Sequence, residues 1–280
     1  DYLVIPAYEP DYNLIRLIKK VREKSDFEVI VINDGSSASC NRVFEQAATY
    51  ATILHHSLNQ GKGQALKTAF RYIQSQGHYG VIVTADADGQ HKLWDILRVA
   101  HCAHEQPQKL ILGTRSFTGK VPLRSRFGNS LTRLLFKQQT GVAVSDTQTG
   151  LRAFTSNMLP FMLSIEGQRY EYEMNMLMVW AKESRPFYEL EIETIYENNN
   201  EGSHFNTLHD SVRIYKEILK FALSSILSFL LDYGLYTLQI FLGVPLVAAN
   251  VLARLISAGF NFFVNKKIVF ASNKPVIKEL

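Results

Sequence analysis

The chain has 280 residues, 46% of them hydrophobic, a formal net charge of +4 and two cysteines. That length allows one large domain or a domain with an appendage. Cys40 and Cys102 are too few for a disulfide framework, no Cys/His cluster has zinc spacing, and the modest charge lacks the basic-aromatic interleaving of a nucleic-acid surface.

The opening residues, Asp1-Tyr-Leu-Val-Ile-Pro6, read at once as a strand and lack an initiator Met. A few preceding residues are therefore expected, with no signal peptide, and a reducing compartment. Strand one spans Tyr2 to Ile5, and Pro6-Ala-Tyr-Glu-Pro10 turns into a helix with Leu14, Ile15, Leu17, Ile18 and Val21 on one face. Glu28 to Ile32 is strand two. Asn33-Asp-Gly-Ser-Ser37 has the signature of a turn and N-cap before a helix bearing Val43, Phe44 and Ala47. A short third strand covers Thr52 to His55. Leu58-Asn-Gln-Gly-Lys-Gly63 then opens a helix over Gln64 to Gln74.

The fourth strand is the stretch on which the reading turns, Val81-Ile-Val-Thr-Ala-Asp-Ala-Asp-Gly-Gln-His91. Its β-branched start predicts a buried parallel strand. Side chains alternate along extended backbone, so Asp86, Asp88 and Gln90 converge on one point past the strand's carboxyl end. Open α/β sheets bind ligands there. Oxygen ligands suit a hard cation, Mg²⁺ or Mn²⁺, bridging carboxylates to a substrate diphosphate. The plainer alternative is an acidic turn that caps the next helix, Leu93 to His104, before a fifth strand over Lys109 to Gly113.

The alternation of strands and helices predicts a mostly parallel, Rossmann-like sheet with helices on both faces. Gly61-Lys62-Gly63 lacks the residues of a P-loop, although its helix start could meet an anion through free N–H groups. No G-x-G-x-x-G follows a strand.

After residue 205 the character changes. His209 to Lys220 carries Val212, Tyr215, Ile218 and Leu219 at helical spacing with Arg213, Lys216 and Lys220 between them, as in a helix lying on a membrane surface. From Phe221 to Leu242 only Asp232 is charged, and from Pro245 to Val264 only Arg254. Each run is long enough to cross a hydrocarbon core of about 30 Å. A buried helical hairpin is the alternative. Asp232 and Arg254 lie at equal distances from the turn at Gly243, which predicts an ion pair that fixes the register; the alternatives are that each charge faces further helices or that Arg254 meets a lipid phosphate. Lys216 and Lys220 precede the first run and Lys266 and Lys267 follow the second, so both ends are expected on the cytoplasmic side.

Five motifs in order carry a family resemblance: Val4-Ile-Pro-Ala-Tyr-Glu9, Val31-Ile-Asn-Asp-Gly-Ser36, Asn59-Gln-Gly-Lys-Gly63, Ala85-Asp-Ala-Asp-Gly-Gln-His91 and Asp146-Thr-Gln-Thr-Gly-Leu-Arg152. Together they resemble the family 2 glycosyltransferases of GT-A fold, in particular the polyprenyl-phosphate type: dolichyl-phosphate mannose synthase and the bactoprenol glucosyltransferases. The tail resembles the start of a GtrA-type membrane domain, which usually has four membrane helices; two fit here. The Gln-x-x-Arg-Trp motif of processive members is absent.

The resemblance implies a GT-A domain over 1–205, a juxtamembrane amphipathic helix over 206–220, a transmembrane hairpin over 221–270 and a tail over 271–280. It implies an inverting transfer of a hexose from a nucleotide sugar, UDP-glucose or GDP-mannose, to a polyprenyl phosphate. The positions matching Pro6, Ala7, Tyr8, Glu9, Asn33 and Asp34 hold the nucleotide, helped by Lys62 and Asp86. The second motif usually reads Asp-Asp-Gly-Ser, so Asn33 departs from the pattern. Asp86, Asp88 and Gln90 match the metal and diphosphate ligands, with Mg²⁺ or Mn²⁺ as cofactor.

A polyprenyl monophosphate is mostly dianionic at pH 7. Its oxygen is already nucleophilic, so cations matter more than a strong base. Arg115, Arg124 and Arg126, with Asn129 on the same helical face as Arg126, are the expected acceptor-phosphate residues; the alternative for the arginines is a solvated basic surface. Asp146 would orient an arginine or the sugar. Asp88, Arg115, Arg126 and Asp146 form the expected catalytic set. Glu173 is expected near the site, Glu171 as a helix-start charge, and the loop Asn198 to Phe205 over bound nucleotide. The expected partners are the donor, the acceptor and the lipid bilayer, with further copies of the chain left open and no nucleic acid. The expected location is the cell membrane, multi-pass, with a cytoplasmic catalytic domain. Another membrane acceptor, or a transport or scaffold protein with an inactive GT-A domain, stays as a rival.

Overall fold

The computed structural model describes residues 1–115, 123–193 and 209–264, without the side chains of 123–128, 131, 135 and 209–222. The chain divides into two compact units, Asp1–His204 and Phe205–Leu280.

Seven strands build the sheet of the first unit: β1 (Tyr2–Ala7), β2 (Glu28–Asp34), β3 (Thr52–His56), β4 (Val81–Thr84), β5 (Leu110–Arg115), β6 (Arg152–Thr155) and β7 (Phe187–Ile192). Their order across the sheet is β3-β2-β1-β4-β6-β5-β7. β1 pairs in parallel with β2 and β4, as the alternation predicts, and β2 with β3. β6 runs antiparallel between β4 and β5, and β7 pairs in parallel with β5. The sequence reading placed neither β6 nor β7. Arg152 opens β6 and breaks its apolar pattern, yet the residue is fully buried.

The helices α1 (Tyr12–Lys24), α2 (Asn41–Ala47), α3 (Lys62–Gln76), α4 (Leu93–Glu105), α5 (Leu123–Thr140), α6 (Leu159–Ser164) and α7 (Glu171–Lys182) complete this unit. Alternating strand residues divide the core into two layers. Leu3, Ile5, Val29, Val31, Val81 and Val83 face one way, against α1, α2 and α4. Tyr2, Val4, Ile30, Ile32 and Ile82 face the other, with Phe70 of α3 and Trp180 of α7. Both faces of the sheet are thus covered, which is why the strands read as continuous apolar runs. The carboxyl ends of β1, β2 and β4 are left to the polar turns that follow them.

The second unit is a helical hairpin. α8 (His209–Phe241) is one continuous helix through both the expected surface segment and the first apolar run, and α9 (Leu246–Val264) returns after a turn at Gly243, whose φ is +81°. Among the described residues α9 is the one helix long and apolar enough to cross a membrane. Ala249, Ala253 and Ser257 recur every fourth residue on α9 and are buried, as are Ser224 and Ser228 on α8. Small residues at this spacing let two helices approach closely.

The expected Asp232–Arg254 ion pair is not formed. Asp232 instead accepts a hydrogen bond of 3.0 Å from the Ser257 hydroxyl. Ser257, not Arg254, lies in the buried row of α9, while Arg254 is exposed. Both charges border one small pocket with Tyr233, Tyr236 and Asn250, yet they do not pair across it. Lys266, Lys267 and the 198–205 loop lie outside the described residues.

Candidate active site

Three turns at the carboxyl ends of β1, β2 and β4 build the site. After β1, Glu9 takes a positive φ of +50°, a conformation that costs energy for a residue with a Cβ. Its neighbours hold it there. The Glu9 N–H donates to Ser36 Oγ at 2.9 Å, and the Glu9 carboxylate accepts from the Ser37 N–H at 2.6 Å, the Ser37 hydroxyl at 2.9 Å and Cys40 Sγ at 3.3 Å. Burial and then the Glu9 hydrogen bond push the Cys40 thiol up. Between these anchors Pro6 is half-buried, Ala7 buried and Tyr8 exposed. Glu9 thus ties the first motif to the second, and Tyr8 is the ring offered to solvent.

The second turn is equally fixed. Asn33 Oδ1 accepts from the Ser36 N–H at 2.9 Å, and Asn33 Nδ2 lies 3.2 Å from His55 Nδ1. Asp34 is buried; its two oxygens accept from the N–H groups of Gln60 and Gly61 at 2.9 and 2.8 Å, and one meets His56 Nδ1 at 2.7 Å. Gly35 has φ +70°, and a Cβ there would come within 2.3 Å of the Asn59 nitrogen. The second and third motifs are therefore one interlocked structure.

The third motif is a packing device more than an anion cradle. A Cβ on Gly61 would lie 2.4 Å from Arg169 Cγ, and one on Gly63 2.4 Å from Tyr172 Cβ. The N–H groups of Gln60 and Gly61 are spent on Asp34, and that of Gln64 donates to the Gln168 carbonyl at 2.7 Å. The expectation that free N–H groups at this helix start could meet an anion is thereby corrected for these three. What the arrangement delivers is Lys62. Its Nζ lies 2.7 Å from Asp86 Oδ1 and 2.8 Å from Glu173 Oε2.

Asp86 follows β4, as read. His91 Nε2 stands 3.4 Å from its second oxygen, and a Cβ on Gly150 would come 2.3 Å from that same oxygen. Burial alone would raise the Asp86 carboxyl, but the Lys62 ammonium, followed by His91, holds it far below the usual carboxylate range. Burial likewise lowers the Lys62 ammonium, and Asp86 and Glu173 more than reverse that, so the net shift is upward. Asp88 moves the other way: burial, then the charge of Asp86, pushes its carboxyl up. The Gln90 N–H donates to Asp88 Oδ1 at 3.0 Å.

Among the described residues no three His, Cys, Asp or Glu side chains form a closed metal cage. The open pair nevertheless fits a hard cation. Mg²⁺ usually takes one or two protein carboxylates and draws the rest of its shell from water and substrate phosphates, and Asp86 keeps 32% of its side chain open to such a shell.

On the other side of β4, Asp146 is fully buried. It accepts from Arg115 Nε at 2.7 Å, Arg115 Nη2 at 3.1 Å and the Gln148 N–H at 3.0 Å. Asp146 thus orients an arginine, one of the two options read from the sequence, in a bidentate pair. Arg115 keeps part of its surface open to solvent. Asn129 is buried, donating to the Ser145 carbonyl and accepting from the Thr147 N–H, both at 3.3 Å. Its amide binds the Asp146 loop to α5. Arg124 and Arg126 lie in the first turns of α5, but their side chains are outside the described residues.

Three participants had no assigned role in the sequence reading, although all three stood inside quoted motifs. His91 and Gly150 frame the Asp86 carboxylate. Arg152 is buried, donates to the carbonyls of Thr149 at 3.0 Å and Glu173 at 2.7 Å, and has Nη2 without a hydrogen-bond partner among the described residues. Burial pulls the Arg152 pKa down, against the charges of Glu173, Asp146 and Asp86. The signal for Arg152 was a charged residue at the head of an apolar strand.

Comparison with known proteins fits this geometry. The model of "Glycosyl transferase family 2" matches residues 2–167, and that of "GtrA/DPMS, transmembrane domain" matches residues 220–280. UDP-N-acetylglucosamine–dolichyl-phosphate N-acetylglucosaminyltransferase of Methanococcus voltae is 26% identical over 215 residues, 70% of this chain and 85% of that protein. Undecaprenyl-phosphate 4-deoxy-4-formamido-L-arabinose transferase of Pseudomonas fluorescens is 27% identical over 169 residues, 58% of this chain and 48% of that protein. Among solved structures, glucosyl-3-phosphoglycerate synthase of Mycobacterium tuberculosis, in complex with Mn²⁺, UDP and its product, superposes with a TM-score of 0.57 at 14% identity, covering 87% of this chain and 80% of that one. That likeness establishes the shared fold.

Proposed function

Since this chain belongs to glycosyl transferase family 2 and continues into a GtrA/DPMS transmembrane domain, we propose that it transfers a hexose from a nucleotide sugar to a polyprenyl phosphate at the cytoplasmic face of a membrane. The observation that carries the reading is the Asp86–Asp88 pair, placed past β4 beside Lys62 in a chain that also holds a membrane domain. An intact carboxylate pair speaks against an inactive scaffold.

The acceptor phosphate oxygen attacks the anomeric carbon, and the nucleoside diphosphate leaves with the electron pair of its bond. One displacement inverts the configuration. Asp86 and Asp88, with Gln90 beside them, would hold a Mg²⁺ or Mn²⁺ ion, which when bound neutralises negative charge on the leaving diphosphate. Lys62 adds a second positive charge on that side. Pro6, Ala7 and Asn33 border the nucleoside, Tyr8 offers its exposed ring to the base, and Glu9 and Asp34 shape the turns. Arg115, presented by Asp146, draws in the acceptor phosphate with Arg124 and Arg126 of α5, while Asn129 fixes the loop that carries Asp146. No strong general base is required of a dianionic acceptor.

UDP-glucose and GDP-mannose are the donors favoured by the motif resemblance. A second reading, UDP-N-acetylglucosamine, is favoured by the relative at 26% identity that is named for that transfer. The test is to incubate the full chain, purified in detergent, with each labelled donor and a short polyprenyl phosphate. Label in a polyprenyl-phosphate sugar supports the reading. Label that appears only in a diacylglycerol or glycan acceptor, or no transfer from any donor, rejects it.

A further inference from the structure

Lys62 forms ion pairs with carboxylates from two separate elements, Asp86 after β4 and Glu173 in α7, at 2.7 and 2.8 Å. The three side chains are largely enclosed, with 16% of Lys62, 32% of Asp86 and 12% of Glu173 exposed. Neither oxygen of Asp86 is without a neighbour: Oδ1 meets Lys62, and Oδ2 meets His91 and packs over Gly150. A cation binding Oδ1 would have to share that oxygen with the ammonium or displace it.

The backbone beneath Lys62 cannot give way. Gly61 and Gly63 are pressed onto the 168–172 segment, and the N–H groups of Gln60 and Gly61 are fixed by Asp34. Motion is confined to the lysine's own flexible stem. A divalent cation on Asp86 would also repel a neighbouring ammonium. That repulsion is relieved when a second anion takes the place of Asp86 while Glu173 keeps its hold. The diphosphate of a nucleotide sugar is such an anion.

We propose that Lys62 keeps Asp86 occupied in the donor-free protein and is drawn onto the donor's diphosphate, so that divalent cation and nucleotide sugar bind together. Lys62 is thus a determinant of binding order as well as a diphosphate contact. This rests on Asp86 and Asp88 being the cation ligands.

The test titrates Mn²⁺ into the full chain in detergent, following free Mn²⁺ by electron paramagnetic resonance, alone and with UDP or GDP. Wild type is expected to bind Mn²⁺ weakly alone and much more tightly with a nucleoside diphosphate. Lys62→Met and Lys62→Gln should bind Mn²⁺ alone about tenfold more tightly than wild type, with a smaller gain from nucleotide. Folded variants with unchanged or weaker affinity for Mn²⁺ alone overturn the proposal. If neither variant folds, a structure of the wild type with Mn²⁺ and nucleotide decides: Lys62 Nζ still on Asp86 overturns it, and Nζ on the diphosphate supports it. Asp88→Asn separates the two levels. Nucleotide-dependent Mn²⁺ binding that survives Asp88→Asn removes the metal assignment and this inference with it. Binding lost in Asp88→Asn but unchanged in both Lys62 variants removes this inference alone.

Discussion

Asp34 and Asp86 stand at the carboxyl ends of two strands, β2 and β4, that flank β1 in one sheet. Both are carboxylates in polar turns, and sequence gives them similar promise. Their surroundings differ in kind. Asp34 is buried and held by two backbone N–H groups and His56. Asp86 is held by side chains, Lys62 and His91, and part of it reaches solvent. Backbone donors are fixed by the fold, whereas a lysine can exchange partners. The first carboxylate therefore reads as architecture and the second as chemistry.

Asp88→Asn should break the chemical side of this contrast most sharply. It removes one of the two carboxylates proposed to hold the cation. Transfer is expected to fall by roughly 10³-fold or more, since leaving-group stabilisation is lost. The thermal midpoint should stay close to wild type, because the side chain supports no other element beyond a local turn. Normal turnover by a well-folded variant would remove the metal role.

Asp34→Asn probes the architectural side and should give the opposite pattern. An amide cannot accept on both sides, so one buried N–H of Gln60 or Gly61 loses its partner. A stability loss of about 2–4 kcal/mol is expected, read from denaturant midpoints. Transfer should fall only as far as the 59–63 loop shifts. A variant of unchanged stability that has lost nucleotide binding outright would make Asp34 a direct contact instead.

Between these extremes lies Arg115, a cation with its own buried carboxylate. Arg115→Lys keeps the charge but loses the bidentate grip on Asp146. The expected result is a KM for polyprenyl phosphate raised about tenfold, with nucleotide affinity little changed. A larger effect on nucleotide affinity than on the lipid would move Arg115 to the donor side.

The same contrast explains what could be read in advance. Apolar strand runs ending in Asp, Gly and Asn gave the parallel half of the sheet and the positions of Asp34 and Asp86, because those signals are local. The reversed strand β6 escaped because its pairing is set by neighbours far away in sequence, and Arg152 interrupts its pattern. Nothing local says that Gly61 and Gly63 are small to admit the 168–172 segment. Nor does spacing reveal that Lys62 reaches both Asp86 and Glu173, a contact spanning 111 residues of chain. Asn129 was read as an acceptor-phosphate residue because it shares a helical face with Arg126; only tertiary packing puts it under the Asp146 loop.

The hairpin offers the smallest test of the same idea, a carboxylate held by one neutral side chain. Asp232 accepts from Ser257, while Arg254, exposed on α9, makes no ion pair with it among the described residues. Removing one partner of a buried pair strands the other charge and costs several kcal/mol, roughly 3–5. A side chain-to-side chain hydrogen bond between membrane helices contributes far less, about 0.6 kcal/mol on average. Ser257→Ala is therefore expected to weaken the hairpin by about 0.5–1 kcal/mol, and Arg254→Gln to weaken it by less. Both can be read as shifts in detergent-denaturation midpoints of the full chain. The order of the two effects is the decisive quantity. If Arg254→Gln proves the more damaging, by several kcal/mol, then Arg254 does pair with Asp232 in the bilayer. The register of α8 against α9 would then be set by charge rather than by the small residues Ala249, Ala253 and Ser257.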